Sequence, residues 1–201
     1  MKIAFIRHGK TEGNIQRRYI GSTDMPLCQI GIKEIQKLSQ KKNYPSVQHV
    51  YVSPMMRCMQ TADIAYHDTP YTVIENIREQ HYGDFEYKTY DELQDVPAFR
   101  RWIDTSGASD APNGEPQIEF FARCRTALLQ ILEDAQKHHY DDIAIVAHGG
   151  VLMALLSIYA TPQRNFYDWH AANGCGFLFD ADSWLEQKTI TLLSKIDCEE
   201  L

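Results

Sequence analysis

Two apolar runs in this chain end in the same way, and the repetition narrows the folds open to it more than any other feature. Lys2-Ile3-Ala4-Phe5-Ile6 leads directly into Arg7-His8-Gly9, and Ile145-Val146-Ala147 leads into His148-Gly149-Gly150. Unbroken apolar character over so short a length marks a strand buried on both faces, as in a parallel sheet. The carboxyl ends of such strands are where open α/β sheets bind ligands. A lone histidine at a strand end is more often structural than catalytic, and polar residues there can simply form a solvated turn. Two histidines at equivalent ends of two parallel strands point to a shared site.

Other segments fit the same architecture. Strand-like runs recur at residues 2–7, 49–53, 71–74, 143–147 and 176–179, and weak alternation over 185–193 suggests an edge strand. Helical spacing appears in 31–41 through Ile32, Ile35 and Leu38, in 55–66, and in 116–138, where Phe121, Leu128, Leu129 and Leu132 would share one face. Strands alternating with helices predict an α/β three-layer sandwich, with a mostly parallel central sheet and helices on both faces. The length fits one domain over 1–201. Within it, 86–115 breaks the alternation with Pro97, Gly107, Pro112 and Gly114 and reads as a lid-like insertion.

The net charge of -7 weighs against nucleic acid or an anionic membrane as partner, so any phosphate would have to be met by a local cluster of cations. No apolar run approaches the ~20 residues of a membrane span. No signal-peptide layout opens the sequence, which makes the cytoplasm the expected location. The five cysteines, Cys28, Cys58, Cys124, Cys175 and Cys198, include no CxxC pair and are expected as structural thiols. No His, Cys or carboxylate spacing indicates a metal, and no cofactor is expected. A homodimer is left open.

The segment after the second strand is Ser53-Pro54-Met55-Met56-Arg57-Cys58-Met59-Gln60-Thr61-Ala62. It places Arg57 in the first turn of a helix, where free N–H groups and the macrodipole favour anions. With Arg7-His8-Gly9 and His148-Gly149-Gly150, this segment makes the chain resemble the histidine phosphatase superfamily, also called phosphoglycerate mutase-like. The resemblance extends, in family order over residues 2–180, through Asn14, Gly21-Ser22-Thr23-Asp24-Met25-Pro26-Leu27 and Gly31. It continues through Glu79-Gln80-His81-Tyr82-Gly83, then Pro112-Asn113-Gly114-Glu115 with Arg123 downstream. Lys10, Ile20 and Tyr87 depart from the family pattern and bear on substrate rather than on chemistry.

The resemblance implies a metal-independent phosphatase for a small phosphomonoester. Arg7 and Arg57 would present guanidinium forks to the phosphate, with Asn14 as a neutral donor and Gly149 beside them. His148, kept protonated by the phosphate and a nearby carboxylate, would be a third cation. His8 would be the nucleophile, its other ring N–H fixed on a backbone carbonyl, and Glu79 the acid that protonates the leaving oxygen. Tyr82, Arg100 and Arg101 would bind the remainder of the substrate, with Lys10, Tyr87 and Trp102 alongside. Glu115 would either support Arg7 or His148 or cap a helix. His49, His67, His138, His139 and His170 carry no ligand spacing and read as structural. Two rival functions remain: phosphoryl transfer of the phosphoglycerate mutase kind, for which Arg100 and Arg101 would hold a carboxylate, and a module that binds phosphorylated ligands without turnover.

Overall fold

The computed structural model describes residues 1–105 and 107–197. Chain order runs β1 (Lys2–Arg7), α1 (Glu12–Ile15), α2 (Gln29–Gln40), β2 (His49–Val52), α3 (Met56–Ala65) and β3 (Tyr71–Val73). Then follow α4 (Tyr90–Leu93), α5 (Pro97–Asp104), α6 (Gln117–Lys137), β4 (Asp142–Ala147), α7 (Gly149–Tyr159) and β5 (Ala160–Thr161). The chain ends with β6 (Gly176–Asp180), α8 (Trp184–Gln187) and β7 (Ile190–Ile196). The described strands form one sheet in the order β3-β2-β4-β1-β6-β7-β5, and only β6 runs against its neighbours.

Strand alternation sorts side chains onto two covered faces. From β1, Ile3 and Phe5 enter a core with the helices α6 and α7, while Ala4 and Ile6 enter a second core with α2 and α3. From β4, Ile143, Ile145 and Ala147 take the first face and Ala144 and Val146 the second. Both faces are therefore apolar, which is why these strands read as continuous runs. Burial of each large side chain is worth roughly 1.5–3 kcal/mol, and this sets the three layers.

Three sequence expectations shift. The buried stripe of α6 is Phe120, Cys124, Ala127, Leu128, Ile131, Leu132 and Ala135, whereas Leu129 is exposed and Phe121 half-buried. The stripe falls one residue earlier than the leucines alone suggested, because small Ala and Cys side chains share it. Residues 185–193 are not one strand. Trp184 is buried and anchors the short α8, Lys188 ends it at φ 55°, and only then does β7 begin. Cys28, Cys58 and Cys124 are free thiols, but Cys175 is disulfide-bonded, against the expectation of thiols throughout. Cys198 lies outside the described residues.

The 86–115 segment carries α4 and α5. Thr89 and Glu92 form a capping box on α4, and Pro97 opens α5. Phe85, Leu93, Phe99 and Ala111 form a third cluster here, with Tyr19, Tyr82 and Trp102 packed against it. Glu86 ties this segment to the loop after α1. Its carboxylate accepts from Gly21 N at 3.2 Å, Ser22 N at 2.8 Å, Tyr82 N at 3.0 Å and Thr23 Oγ1 at 2.7 Å. Burial alone would raise its pKa, but these donors outweigh burial and hold it below the usual carboxylate range.

Glu86→Gln turns one acceptor oxygen into a donor facing N–H groups and should cost about 1–3 kcal/mol at neutral pH. Because the folded-state pKa is depressed, the wild-type advantage is present above the unfolded pKa of ~4.3 and fades as pH falls through the folded value. Denaturant unfolding of both proteins across pH 3–7 checks this; a gap that is constant with pH would count against it.

Candidate active site

Parallel pairing of β1 with β4 sets Arg7 opposite Ala147, and His8 N donates to Ala147 O at 3.0 Å. His8 and His148 therefore leave the sheet side by side, with ring centroids 5.2 Å apart. The next strand, β2, pairs Val52 with Val146, so Ser53 and then α3 with Arg57 follow at the same edge. Gly149 and Gly150 open α7 beside them.

His8 is buried, and its Nδ1 lies 2.7 Å from Gly9 O. A carbonyl can only accept, so Nδ1 carries the proton and Nε2 keeps its lone pair. Burial, then the charges of Arg57 and Arg7, push its pKa well below the histidine range, so the ring is neutral. The main chain is pinned as well: Gly9 N donates to Thr61 Oγ1 at 3.0 Å, and His8 O accepts from Asn173 Nδ2 at 3.1 Å.

Arg7 Nη1 donates to Ala171 O at 2.7 Å and meets His170 Nε2 at 3.2 Å. Among the described residues its Nε is a buried donor without an acceptor. Burial lowers its pKa and the Glu79 charge opposes that shift, which leaves it a cation. Asn14 Oδ1 is taken by Thr11 N at 3.0 Å and by Asn173 Nδ2 at 3.3 Å, so what it can offer a ligand is its Nδ2.

Glu79 is buried. Its Oε2 accepts from Gly150 N at 2.9 Å and its Oε1 from Gln80 N at 3.0 Å. Burial dominates and raises its pKa against both hydrogen bonds and the arginines. Tyr82 lies close by, and burial then the Glu79 charge keep its hydroxyl protonated.

A cavity of about 160 Å³ gathers Arg7, His8, Asn14, Glu79, Tyr82 and Gly149 from the residues singled out in the sequence. Arg57 and His148 stand one layer behind it. Arg57 Nη2 donates to Gly21 O at 2.8 Å, Nη1 to Thr23 O at 2.9 Å, and Nε to His148 Nδ1 at 3.3 Å. His148 Nε2 lies 2.7 Å from Ser53 Oγ. Where the sequence reading expected a carboxylate nearby, none among the described residues hydrogen-bonds to the His148 ring. Arg57 is its closest charged neighbour, and burial, then Arg57, His8 and Arg7, push the ring well below the usual range, so it is neutral. Glu115 pairs instead with Arg123, at 2.6 Å.

Arg100 and Arg101 do not line the cavity. On α5 the inward face is taken by Phe99 and Trp102, which leaves both arginines outside; Arg100 pairs with Asp95 at 2.7 Å. Lys10 pairs with Glu34 at 2.6 Å, and Tyr87 is exposed under Arg18. The sequence reading missed Arg18, Tyr19, Met153 and His170 in the wall and Asn173 behind it, while Ile20 and Gly150, already noted from sequence, line it as well. The structural reading of His170 gives way to a cavity position against Arg7, brought there by the turn after residues 166–169. No spacing in the sequence marks that turn. Among the described residues no three His, Cys, Asp or Glu side chains are grouped as metal ligands, and no helix is long and apolar enough to cross a membrane.

The family model for the histidine phosphatase superfamily (branch 1) matches residues 3–185. The chain belongs to that superfamily. An Escherichia coli (strain K12) adenosylcobalamin/alpha-ribazole phosphatase is 28% identical over 96% of this chain and 94% of its own length. A probable phosphoglycerate mutase of Proteus mirabilis is 30% identical over 78% of this chain and 74% of its own. The crystal structure of the alpha-ribazole phosphatase from Shigella flexneri superposes with a TM-score of 0.83 at 26% identity, covering 98% of this chain and 97% of that one. As a histidine phosphatase superfamily member, this chain is an enzyme with the three-layer fold of its relatives.

Gly150 is where that site leaves no space. A Cβ there would lie 2.4 Å from Glu79 Oε1. Gly150→Ala should therefore displace the carboxylate and lower kcat/KM by roughly 100-fold, the scale of a misplaced reacting group, with little change in the thermal midpoint. Steady-state kinetics beside a melting curve tests it; near wild-type turnover would show that the carboxylate position is unimportant.

Proposed function

We propose that this enzyme hydrolyses a small phosphomonoester through a phosphohistidine on His8, without a metal. One observation carries the reading: the lone-pair Nε2 of His8, fixed by the Nδ1 bond to Gly9 O, shares a cavity with the raised-pKa carboxyl of Glu79 and the unpartnered Nε of Arg7. In the first step His8 Nε2 attacks phosphorus and the ester P–O bond breaks. The Glu79 proton passes to the leaving alkoxide. Water then attacks phosphorus, Glu79 takes the water proton, the P–N bond breaks, and neutral His8 returns with inorganic phosphate.

Charge develops on the phosphoryl oxygens, and preorganised donors meet it. Arg7 Nε, Asn14 Nδ2 and the N-terminus of α7 face the cavity, while Arg57 acts from behind His148 through its charge and through the loop carbonyls it holds. His148 is a neutral ring beside Arg57, and a bound phosphate dianion would favour its imidazolium form. The 86–115 segment covers the alcohol side of the substrate by way of Tyr82 and Tyr19. Hydrolysis is favoured over mutase transfer because Arg100 and Arg101, the proposed carboxylate holders, lie outside the cavity. A silent binding module would not need an acid poised beside a nucleophile. The relatives named as phosphatases support the same choice.

His8→Ala should abolish turnover of 4-nitrophenyl phosphate while preserving the melting curve, and brief incubation of wild type with labelled substrate should yield an acid-labile, base-stable phosphoprotein. Retained turnover in the alanine variant would overturn the mechanism. Activity should also survive EDTA; loss restored by one divalent ion would show a metal step.

The two opposed pKa shifts fix a pH profile. His8 must be neutral and its pKa is depressed, so the acid limb of kcat/KM lies below the ~6.5 of free imidazole. For an alkyl phosphate such as 4-nitrobenzyl phosphate, whose leaving alkoxide needs a proton, Glu79 must be protonated and its pKa is raised, so activity falls as pH rises through a value above the ~4.3 of a free carboxyl. After correction for the substrate's own ionisation, Glu79→Gln should remove the alkaline limb and leave the acid limb. An unchanged alkaline limb in that variant would reassign it to another group.

A further inference from the structure

We infer that Arg123 is a positioning residue for the proton-donating carboxyl of Glu79, a role that rests on the acid assignment above. Arg123 projects from α6, does not line the cavity, and is 11% exposed, against 15% for its partner Glu115. All five of its N–H groups have acceptors. Nε donates to Glu115 Oε1 at 2.6 Å, and Nη1 donates to Asn76 O at 2.9 Å and Arg78 O at 2.7 Å. Nη2 donates to Glu79 O at 3.0 Å and Glu115 Oε2 at 2.7 Å. Three of these bonds therefore hold the main chain from residue 76 to the acid itself.

The partner carboxylate completes the hold on the other side. Glu115 Oε2 accepts from His81 N at 3.4 Å, Glu115 N donates to His81 O at 2.8 Å, and Glu115 O accepts from Gln80 Nε2 at 2.9 Å. The chain on both sides of Glu79 is thus fastened to one half-buried, bidentate ion pair. The side chain of Glu79 has a lighter hold, two backbone N–H groups from Gln80 and Gly150. Where its carboxyl sits relative to His8 follows from where its main chain is fixed. A guanidinium suits this task because its planar fork reaches three carbonyls and a carboxylate at once, whereas an ammonium has three donors on a single atom. The Arg123 charge is paired with Glu115 and also feels that of Glu79, while its bond to Glu79 O sets where the main chain of the acid lies.

A structural prop and a positioning residue for the acid differ in which substrates notice their loss. 4-Nitrophenolate departs without a proton, whereas the alkoxide of 4-nitrobenzyl phosphate, a substrate of similar size, needs one. The quantity kcat/KM reports the steps through phosphoryl transfer to His8, where the proton is required. We would measure it for both substrates in wild type, Glu79→Gln and Arg123→Lys, with circular dichroism and melting curves for each. The ratio of the aryl to the benzyl value should rise about 100-fold in Glu79→Gln, within the range set by general acid catalysis, and roughly 10-fold in Arg123→Lys. Equal losses on the two substrates in Arg123→Lys, with a raised ratio in Glu79→Gln, would make the arginine a stability clamp and overturn the inference. An unchanged ratio in Glu79→Gln would instead refute the acid assignment, and the inference with it. Should Arg123→Lys fail to fold, Glu115→Gln decides in its place: a raised ratio supports the role and equal losses overturn it.

Discussion

The parallel pairing of β1 with β4 is the constraint on which the rest of this molecule depends. Its register puts His8 and His148 on adjacent chains at one level, and the bond from His8 N to Ala147 O extends the ladder one residue past β1. A slip by one residue would turn every side chain of β1 to the opposite face and carry Phe5 and Ile6 into each other's cores. Catalytic placement and core packing are thus enforced by the same hydrogen bonds. The cores on both faces, built on alternate residues of the two strands, make any other register expensive.

Around that pair the protein gathers cations and removes water. Arg7 and Arg57 depress the pKa of both histidines, and burial acts in the same direction. The one buried carboxyl in the group is driven the other way. Opposite shifts on neighbouring groups suit the neutral nucleophile and protonated acid proposed for them, and burial is the largest cause of each. An empty site that holds unneutralised arginines is complementary to an anion before any arrives, so binding requires little rearrangement of charge.

Much of this was legible in the sequence because the central strands are buried on both sides and end in residues of unusual chemistry. The strands at 2–7 and 143–147, the helices near 31–41, 55–66 and 116–138, and the placement of Arg7 and His8 at a strand end follow from such local signals, whereas Glu79 is marked only by the family resemblance of residues 79–83. What the sequence hid depends on long-range geometry. His170 and Asn173 reach the site from a turn more than 160 residues along the chain from His8. The hydrogen bond from Arg57 to His148 could not be read, because the two lie 91 residues apart in the chain. Arg100 and Arg101 were chosen for their charge, but the apolar neighbours Phe99 and Trp102 decide which way α5 faces. Glu115 supports neither Arg7 nor His148 and caps no helix; its partner is Arg123, which no local signal pairs with it.

The small apolar cluster of the 86–115 segment has a consequence for how such an enzyme changes its diet. Tyr82 and Tyr19 stand in the cavity wall, yet they lean on Phe99 and Trp102, with ring centroids 5.4 Å apart for Tyr19 and Phe99 and 5.8 Å for Tyr82 and Trp102. The histidine end of the pocket is built from the sheet, and the wall with Tyr19 and Tyr82 leans on a separate core with its own foundations. Mutations in that smaller core can recut the wall without disturbing the strands beneath the nucleophile. One chemistry can then be carried from ester to ester by remodelling about thirty residues, while the remainder of the chain stays under the selection that keeps it folded.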